Sequence, residues 1–478
     1  MSDATPLCPP SIVTRDSIVS AEEMAARSAA FVDALHASLP VGTPLVAMVL
    51  GNDAESVALF FALAALDPAI VLLGADPHGW NTEPAWPKGT CLVLPPGRAH
   101  LAGEAAARGL VVCCIPAADP SKRSTTPLVQ RTRGLVFLTS GSTGAPKPVC
   151  RRFETLVGAA RMLAAALPLV GDGGILGAVP LDRAFGANNA LMLATVTGRP
   201  LGLLERFDHH EFFALCEERP WAYWGGTPAL ADILSRSTRR VPPGMPQVAT
   251  VVGRVSPSLA EAYQQRFGVP PRGLYGTTET FTIALALGSA DEVSAENVGR
   301  PLPDVDVLIG APDAPAPIGE TGRVWIRTPW MMEGYGYPPT ITSPLEQGWW
   351  ATPDLGRLDN DGRLTVVSRA DDRIRTATGL ILDPRPLAAA VEAVDGVREA
   401  VVVPIDAADG TSFAVLVEAD ASVRPTAVRA ALATALPAGT QPRLLRVVDE
   451  LPRWSSGRAD RRACLDLLTR PRDVVTRT

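Results

Sequence analysis

The chain has 478 residues, with 44 Lys and Arg against 50 Asp and Glu, which gives a formal net charge of −6 at pH 7. Hydrophobic residues make up 47% and charged residues 20%, a globular composition that excludes a largely disordered chain. At roughly 150 residues per domain, this length predicts two to four domains, and the net acidity argues against a nucleic-acid partner.

Cysteine usage and hydropathy favour a cytoplasmic protein. The seven cysteines contain no Cys-x-x-Cys pair, which favours a reduced protein without structural zinc. The N-terminus has no basic stretch followed by an apolar core, so no signal peptide is predicted. The longest apolar run, 57–66, falls well short of the roughly 20 residues that a membrane span needs.

Apolar runs alternate with segments of helical periodicity through the first part of the chain. The expected elements are a strand over 45–50, a helix over 54–66, buried strands over 110–115 and 135–138, further strands over 175–179 and 248–252, and a strand over 323–327 in a more β-rich stretch. Such alternation favours an α/β fold with largely parallel sheets.

A domain boundary is predicted near residue 369, after the polar turn at 360–362. Beyond it the pattern restarts on a smaller scale and is typical of a separate α+β domain. The expected elements are helices over 386–394 and 425–436 and strands over 397–403, 413–418 and 444–448. We therefore expect an N-terminal domain over 1–369 and a C-terminal domain over 370–478.

A loop in which hydroxyls alternate with glycines follows the apolar run 135–138. Its residues are Thr139, Ser140, Gly141, Ser142, Thr143, Gly144, Ala145, Pro146 and Lys147. Glycines let the backbone approach an anion, free N–H groups and hydroxyls bond phosphate oxygens, and a lysine supplies charge. The loop lacks the Gly-Lys-Ser/Thr ending of the Walker motif. It indicates a phosphate-binding loop, with a plain flexible loop as the alternative.

Two further segments carry groups suited to a nucleotide. In the segment 275–279, Tyr275 can stack on a base, the threonines can bond a phosphate and Glu279 can hold Mg²⁺. In the segment 350–357, Asp354 is a carboxylate that can accept both hydroxyls of a ribose. Taken alone, each segment could equally be an ordinary turn.

Together and in this order, the segments resemble those of the adenylate-forming superfamily, which includes acyl- and aryl-CoA ligases, nonribosomal-peptide adenylation domains and firefly luciferase. The resemblance runs from about residue 44 to 465 and includes Gly319-Glu320, Gly334-Tyr335 and the segment 451–461. It implies a large N-terminal domain of several subdomains and a small mobile C-terminal domain. It also implies that ATP and a carboxylic acid give an acyl-adenylate and pyrophosphate, after which a thiol attacks the adenylate and AMP leaves.

The resemblance also implies individual roles in nucleotide binding. Ser140 to Lys147 would hold the β- and γ-phosphates, with Thr139 at the start of the same loop. Tyr275 would stack near adenine, Thr278 would bond the α-phosphate and Glu279 would help to hold Mg²⁺, with Gly276 and Thr277 between them. Asp354 would bind the ribose with support from Arg369, Asp371 matches the hinge position, and Gly379 would line the thiol tunnel.

Four departures from the family pattern bear on catalysis. They are Pro353 in place of the usual glycine, Arg183 where histidine is frequent, the bulky Arg254 near the adenine, and Arg458 in place of the catalytic lysine. Only three of the 44 basic residues are lysines, Lys88, Lys122 and Lys147, as codon bias would produce. Arg458 either performs the lysine's role or marks a relaxed site that depends on N-terminal groups such as Arg183.

The family's acid pocket maps onto residues that suit a flat apolar acid. They are Arg183, Phe185, Trp221, Tyr223, Trp224, Gly225, Gly226, Gly253, Phe281 and Ile283. Aromatic rings with paired glycines favour an aryl acid such as a hydroxybenzoate or cinnamate, although the Trp residues could equally be core. An amino-acid substrate would need a carboxylate for its amine, and Asp182 is the candidate.

The thiol acceptor is either CoA or the phosphopantetheine of an acyl carrier protein. Nine Arg and five Asp or Glu lie in 442–478, a net charge of 9 − 5 = +4 that suits an acidic carrier protein or the CoA phosphates. In length and general sequence character, the chain resembles stand-alone ligases that prime aryl-polyene pathways of the xanthomonadin type. A nucleotide-binding regulator without turnover is the alternative from another class.

Overall fold

The computed structural model describes residues 7–40, 42–80, 89–117, 128, 132–139, 147–253, 255–287, 297–339, 341–342, 345–376, 380–407, 410–437, 440–453 and 459–470. Contacts divide the chain into two units. The first comprises Met1–Glu320, Val324–Ala351 and Leu358–Thr365, and the second comprises Thr321–Arg323, Thr352–Arg357 and Val366–Thr478. The second unit thus takes in two short separate stretches that lie before the boundary predicted at residue 369, and its main stretch begins at Val366.

One large sheet of the first unit has eight strands. In spatial order they are Ile341–Thr342, Gly334–Tyr335, Pro148–Arg151, Leu135–Leu138, Ala69–Leu73, Leu45–Val49, Cys91–Leu94 and Val111–Cys114. The pairs from Leu135–Leu138 to Val111–Cys114 are parallel, whereas Leu135–Leu138 and Pro148–Arg151 are antiparallel. A strand is present at Val111–Cys114, as expected over 110–115, but it is the edge strand and Val111 is 57% exposed, so its predicted burial is wrong.

The other large sheet of the first unit has nine strands. In spatial order they are Arg300–Pro301, Phe281–Leu285, Arg272–Thr277, Val248–Val252, Trp221–Gly226, Gly174–Gly177, Leu201–Leu203, Ile12–Val13 and Ile18–Val19. Its centre is parallel, and the pairing becomes antiparallel between Arg272–Thr277 and Phe281–Leu285. In each large sheet, strand pairing therefore changes from parallel to antiparallel at a predicted nucleotide-binding segment, 139–147 in one sheet and 275–279 in the other.

Further strands occupy the segment 306–369. They are Asp306–Ala311, Ala314–Pro315, Gly322–Arg327, Leu345–Glu346, Trp349–Leu358 and Leu364–Arg369. Asp306–Ala311 pairs antiparallel with Gly322–Arg327, and Leu345–Glu346 with Trp349–Leu358. This agrees with the β-rich stretch expected around 323–327.

The described helices of the first unit vary in length, and only some of them begin at a side-chain N-cap. They are Ala21–Ser38, Ala54–Ala64, Ala102–Ala107, Phe153–Ala166, Ala184–Gly186, Leu193–Thr197, His209–Glu218, Pro228–Arg236 and Pro257–Phe267, with a π-helix at Ala187–Met192 and 3₁₀ turns at Pro77–Trp80 and Ala99–Leu101. Ser20, Asp53, Thr227 and Ser256 each accept a backbone N–H in the first turn of the helix that follows. Within the described parts of the chain, every helix is too short or too polar to span a lipid bilayer.

The second unit has its own core around a three-stranded sheet. Val397–Ala407 pairs antiparallel with Gly410–Ala419, which pairs parallel with Leu444–Val448. The remaining elements are the helices Pro384–Glu392, Pro425–Ala435 and Arg461–Thr469, the strand pair Ile374–Arg375 and Ile381–Leu382, and a 3₁₀ turn at Ala370–Asp372. Buried side chains pack on both faces of the sheet. The mixed α/β class predicted from the sequence is confirmed.

Candidate active site

The predicted phosphate loop joins two neighbouring antiparallel strands, Leu135–Leu138 and Pro148–Arg151, which end in the pair Leu138↔Pro148. Directly beyond that pair, the Thr139 N–H donates to the Lys147 carbonyl at 3.0 Å. The Lys147 N–H donates in turn to Thr139 Oγ1 at 3.2 Å. Ser140, Gly141, Ser142, Thr143 and Gly144 lie outside the described residues. The structure therefore describes the two ends of the loop, and its phosphate contacts stay a prediction.

Tyr335 connects the lysine of this loop with the predicted metal ligand. Its strand, Gly334–Tyr335, pairs antiparallel with Pro148–Arg151. Lys147 Nζ lies 6.0 Å from the centroid of the Tyr335 ring, and the Tyr335 hydroxyl donates to Glu279 Oε1 at 3.0 Å. Burial raises the pKa of Tyr335, and the Glu279 carboxylate raises it further, so the phenol remains a donor. The sequence motif Gly334-Tyr335 had not indicated this role for the Tyr335 hydroxyl.

Glu279 lies on the turn between strands Arg272–Thr277 and Phe281–Leu285. The Thr277 Oγ1 accepts the Thr280 N–H at 3.2 Å, which closes the turn around Thr278 and Glu279. The Glu279 carbonyl accepts the Met332 N–H at 2.8 Å. The carboxylate is therefore held by its backbone at one end and by Tyr335 at the other. Thr278 and Glu279 are half-buried, so solvent reaches both.

Two positions near this turn require glycine for steric reasons. A Cβ at Gly276 would lie 2.5 Å from the Phe281 carbonyl, so a larger residue would push the two strands apart. Gly253 has φ of +114°, a conformation that L side chains rarely adopt, and its N–H donates to the Leu274 carbonyl at 3.1 Å. Tyr275, next in the same strand, is only 9% exposed. Its predicted stacking on adenine stays a prediction.

A small recess lies beside the π-helix Ala187–Met192. It is lined by Val179, Phe185, Gly186, Asn189, Ala190 and Gly225, and it is too tight to hold a water molecule. A Cβ at Gly186 would lie 2.1 Å from the Pro180 carbonyl, so only glycine permits this close packing. The structure therefore brings together Phe185 and Gly225 of the predicted acid pocket. Ligand pockets usually have roughly 300–1,000 Å³, so this recess does not by itself form a pocket for an acid.

The aromatic residues of strand Trp221–Gly226 lie in the core. The Trp224 side chain is fully buried, its Nε1–H donates to the Tyr263 hydroxyl at 2.8 Å, and its ring meets that of Phe212 edge-on. The Trp221 Nε1–H donates to the Leu215 carbonyl. A register shift after Trp221 lets both indoles enter the same core. The Trp224 ring thus takes the core placement that the sequence left open as an alternative, and its role in the acid pocket stays a prediction.

The other predicted pocket residues are placed as follows. The Phe281 side chain, 4% exposed, meets the Phe137 ring edge-on at 6.1 Å. Arg183 Nε lies 3.1 Å from the buried Asp182 carboxylate, and its Nη1 donates to the Leu138 carbonyl at 3.3 Å. Burial raises the pKa of Asp182, and the Arg183 charge opposes that rise. Arg183 therefore contacts the strand end that leads into the phosphate loop.

Within the second unit, Asp354 lies in strand Trp349–Leu358 and is almost buried. Its Oδ1 lies 3.8 Å from Arg369 Nε and 3.8 Å from Arg385 Nη2, and its N–H donates to Thr352 Oγ1 at 3.0 Å. The structure therefore pairs Asp354 with Arg369, as the predicted ribose site would need. It adds Arg385, which sequence analysis did not consider.

Pro353, which replaces the family's usual glycine, does not interrupt the extended backbone around it. Pro353 lies within the continuous ten-residue strand Trp349–Leu358, where alternate residues are buried, so the segment is neither a turn nor broken. Asp371, the predicted hinge residue, lies in the 3₁₀ turn Ala370–Asp372. Arg254, Gly379 and Arg458 lie outside the described residues, and their roles stay predictions.

The segment that carries Arg458 is anchored at both ends within the second unit. Arg453 and Ala459 form an isolated antiparallel bridge, and the Asp460 N–H donates to the Pro452 carbonyl at 2.8 Å. Arg453 bonds Glu399 and Glu418, each at 2.7 Å. Burial alone would raise the pKa of Glu418, but bonds from Arg398, Leu451 and Arg453 hold it below its ordinary value.

Comparisons with known proteins point in the same direction as this geometry. Residues 97–336, half of the chain, match the family model described as AMP-binding enzyme. The chain is 27% identical over 440 residues to the 2-succinylbenzoate–CoA ligase of Geobacillus kaustophilus, covering 87% of this chain and 86% of that protein. It is 27% identical over 354 residues to the sulfoacetate–CoA ligase of Cupriavidus necator, covering 73% and 69%. ATP-bound MatB from Rhodopseudomonas palustris shares the fold, with a TM-score of 0.81, 21% identity and coverage of 98% and 96%.

Proposed function

The chain belongs to the AMP-binding enzyme family, and from this premise we propose that it is an AMP-forming acid–CoA ligase. It joins a carboxylic acid to the α-phosphate of ATP, releasing pyrophosphate, and then passes the acyl group to the thiol of CoA, releasing AMP. The observation that carries this proposal is the Lys147–Tyr335–Glu279 arrangement at the base of the phosphate loop. It puts a cation, a hydroxyl donor and a carboxylate beside one another.

The chemistry of adenylation needs those groups. The attack of a carboxylate on the α-phosphate brings anionic oxygens together, so cations and aligned donors lower the barrier most. Lys147 holds the β- and γ-phosphates, and Thr278 bonds the α-phosphate. The Glu279 carboxylate fits Mg²⁺, because hard cations prefer oxygen ligands and this carboxylate is half-exposed beside the lysine of the phosphate loop. When bound, Mg²⁺ supplies charge to the phosphate oxygens.

The second unit supplies the ribose site and the last cation. Asp354 accepts the ribose hydroxyls, and Arg369 and Arg385 lie beside its carboxylate and orient it. Arg458 takes the place of the family's lysine at the reacting carboxylate, and Asp371 is the hinge of residues 370–478. The bridge and ion pairs at Arg453 support this role, because they hold the end of the segment that carries Arg458.

The substrate that we propose is a small aryl acid, such as a hydroxybenzoate. Phe185 and Gly225 line the same recess, and the Phe185 ring offers an aromatic wall that supports this choice. The name of one relative, 2-succinylbenzoate–CoA ligase, also specifies an aryl acid. An amino acid is disfavoured because Asp182, the candidate partner for its amine, is already paired with Arg183.

The acceptor that we propose is CoA rather than a carrier protein. Both curated relatives described above are named CoA ligases, which supports this choice. A discharge assay with CoA and with a phosphopantetheinylated carrier protein, using the same preformed acyl-adenylate, separates the two acceptors. Faster discharge to the carrier protein would contradict the proposal.

Acid-dependent exchange of labelled pyrophosphate into ATP tests adenylation and substrate class together. A panel of aryl acids, dicarboxylates, fatty acids and proteinogenic amino acids should give the highest kcat/KM with a small aryl acid. An amino acid as the best substrate would contradict the substrate class and point back to Asp182. ATP binding without exchange for any acid would indicate the nucleotide-binding regulator instead.

A further inference from the structure

Arg151 is an arginine in the interior of the first unit. It ends strand Pro148–Arg151, and its side chain has no solvent exposure. Burial lowers the pKa of Arg151 to about 9, and the Glu279 charge opposes that shift, so the side chain is a cation at neutral pH. Burying a charge is expensive unless bonds compensate for it, and a buried arginine therefore needs an explanation.

The bonds of Arg151 go to two backbone carbonyls that flank the predicted metal ligand. Its Nη1 donates to the Thr278 carbonyl at 2.7 Å, and its Nη2 donates to the Trp330 carbonyl. Thr278 directly precedes Glu279. Trp330 begins the segment in which the Met332 N–H bonds the Glu279 carbonyl and Tyr335 bonds the Glu279 carboxylate. One guanidinium thus holds both segments that position Glu279.

The Phe281 ring also contacts the Arg151 guanidinium. The Arg151 guanidinium lies 3.6 Å from the centroid of the Phe281 ring, within cation–π range. Phe281 has φ of +60°, in the left-handed region that a non-glycine residue rarely adopts. Such a conformation costs roughly 1–3 kcal/mol and persists only where surrounding contacts impose it. The Arg151 guanidinium stacked on the ring is one such contact. Phe281 lies two residues after Glu279, so this contact also fixes the chain next to the predicted metal ligand.

The Trp330 segment is also fixed on its other side. A Cβ at Gly158, in helix Phe153–Ala166, would lie 1.9 Å from the Trp330 ring, so the indole packs directly on the helix backbone. The Trp330 carbonyl is therefore a rigid acceptor for Arg151. A planar fork with several N–H donors can span two such fixed carbonyls, whereas a compact ammonium cannot.

We propose that Arg151 is a positioning residue for the nucleotide–metal site, a buried fork that holds Glu279 where it meets the metal–ATP complex. The proposal rests on the proposed function only in that MgATP is the ligand. Arg151 acts through the Thr278 and Trp330 carbonyls. Its loss should therefore weaken the metal-dependent part of ATP binding more than the metal-independent part.

The test compares ATP binding with and without the metal. Calorimetry gives the Kd of wild type, Arg151→Lys and Arg151→Met for MgATP and for ATP in EDTA, with circular dichroism as the check on folding. Arg199→Met is the matched control, because Arg199 also donates to two backbone carbonyls, those of Gly173 and Gly171, away from Glu279. We expect Arg151→Met to bind MgATP about tenfold or more weakly, since a hydrogen bond from a charged group is lost, with little change for ATP in EDTA.

The lysine variant keeps the test decisive if Arg151→Met does not fold. Arg151→Lys retains the charge but cannot span both carbonyls, so we expect an intermediate loss of MgATP affinity and a higher KM for MgATP in exchange assays. Affinity for MgATP equal to wild type in Arg151→Lys, or equal losses with and without metal, would overturn the inference. If the wild-type protein binds MgATP but supports no pyrophosphate exchange with any acid, the ligase assignment is rejected and the inference about Arg151 is not.

Discussion

The Tyr335 hydroxyl donates a 3.0 Å hydrogen bond to the Glu279 carboxylate, and the same phenol ring lies 6.0 Å from the Lys147 ammonium. Tyr335 belongs to the eight-stranded sheet, whereas Glu279 lies on a turn of the nine-stranded sheet. The contact therefore joins the two large sheets of the first unit at their predicted nucleotide segments. Both segments lie where strand pairing becomes antiparallel, so the short connections there leave loops rather than helices next to the site.

Removing that hydroxyl should weaken metal–nucleotide binding without unfolding the protein. Tyr335→Phe loses one hydrogen bond to a charged group, worth about 1.5–3 kcal/mol, so we expect exchange at low MgATP to fall about tenfold or more. Tyr263→Phe is the control, since it removes a buried hydroxyl that accepts from Trp224 in the core. It should lower the melting temperature and spare KM for MgATP. Equal KM values in wild type and Tyr335→Phe would count against the role of Tyr335.

Lys147 and Glu279 should each be required for adenylation. Lys147→Ala and Glu279→Ala each remove one charge-assisted contact, and we expect acid-dependent pyrophosphate exchange to fall about tenfold to over a hundredfold. Arg161→Ala, which removes an exposed charge from helix Phe153–Ala166, is the control and should exchange normally. Near-normal exchange in both site variants would reject the assignment of the phosphate and metal sites.

Arg458 should serve the first half-reaction only. Its guanidinium keeps the positive charge of a lysine but spreads it over a planar fork. We expect Arg458→Ala to slow acyl-adenylate formation at least about tenfold and to spare acyl transfer from preformed adenylate. Arg458→Lys should retain measurable activity. Rapid-quench assays of the two half-reactions measure both effects, and wild-type adenylation by Arg458→Ala would place the catalytic cation elsewhere, with Arg183 as the next candidate.

The ion pairs of Arg453 with Glu399 and Glu418 should make the stability of the second unit sensitive to acid. The pKa of Glu418 is lower in the folded chain than its ordinary value of 4.5, so its ionised form contributes stability above that pH. That contribution is lost as the pH falls through the lowered pKa. Glu418→Gln should therefore destabilise the second unit by about 3 kcal/mol at neutral pH, as expected when a buried pair loses one partner.

Denaturant unfolding from pH 7 down to pH 3 checks this prediction. The difference between wild type and Glu418→Gln should shrink as the pH falls below about 4.5. Asp420→Asn is the matched control, because Asp420 pairs with the same Arg398 but is exposed. A constant difference between Glu418→Gln and wild type over the whole range would show that the carboxylate charge is not the cause.

The strands whose residues form continuous apolar runs could be predicted from the sequence. Leu135–Leu138 has the predicted bounds, because such a run in a largely parallel sheet is covered on both faces. Val248–Val252 and Leu444–Val448 also have the predicted bounds, although Thr250 and Arg446 interrupt their apolar runs. The edge position of Val111–Cys114 could not be predicted, because its composition does not differ from that of a central strand. The placement of Trp224 in the core has a related cause, since a register shift changes which face of a strand meets the core.

The site was predictable where it consists of local motifs and not where it depends on distant partners. Lys147, Glu279 and Asp354 each stand in a short recognisable segment. Tyr335 contacts a carboxylate 56 positions away, and Arg151 contacts carbonyls 127 and 179 positions away. Acceptors that are backbone carbonyls leave no residue pattern, because every residue carries one. Only the folded chain brings them to the guanidinium.

The scarcity of lysine turns Lys147 into a chemical reporter. The chain has three lysines, and Lys147 is the only one among the residues that the structure describes. An amine-selective acylating reagent therefore has few side-chain targets, and peptide mapping by mass spectrometry can resolve each of them. Because bound triphosphate would cover the Lys147 ammonium, the rate of its acylation at increasing ATP concentration reads out occupancy of the loop directly, without turnover and without a known acid.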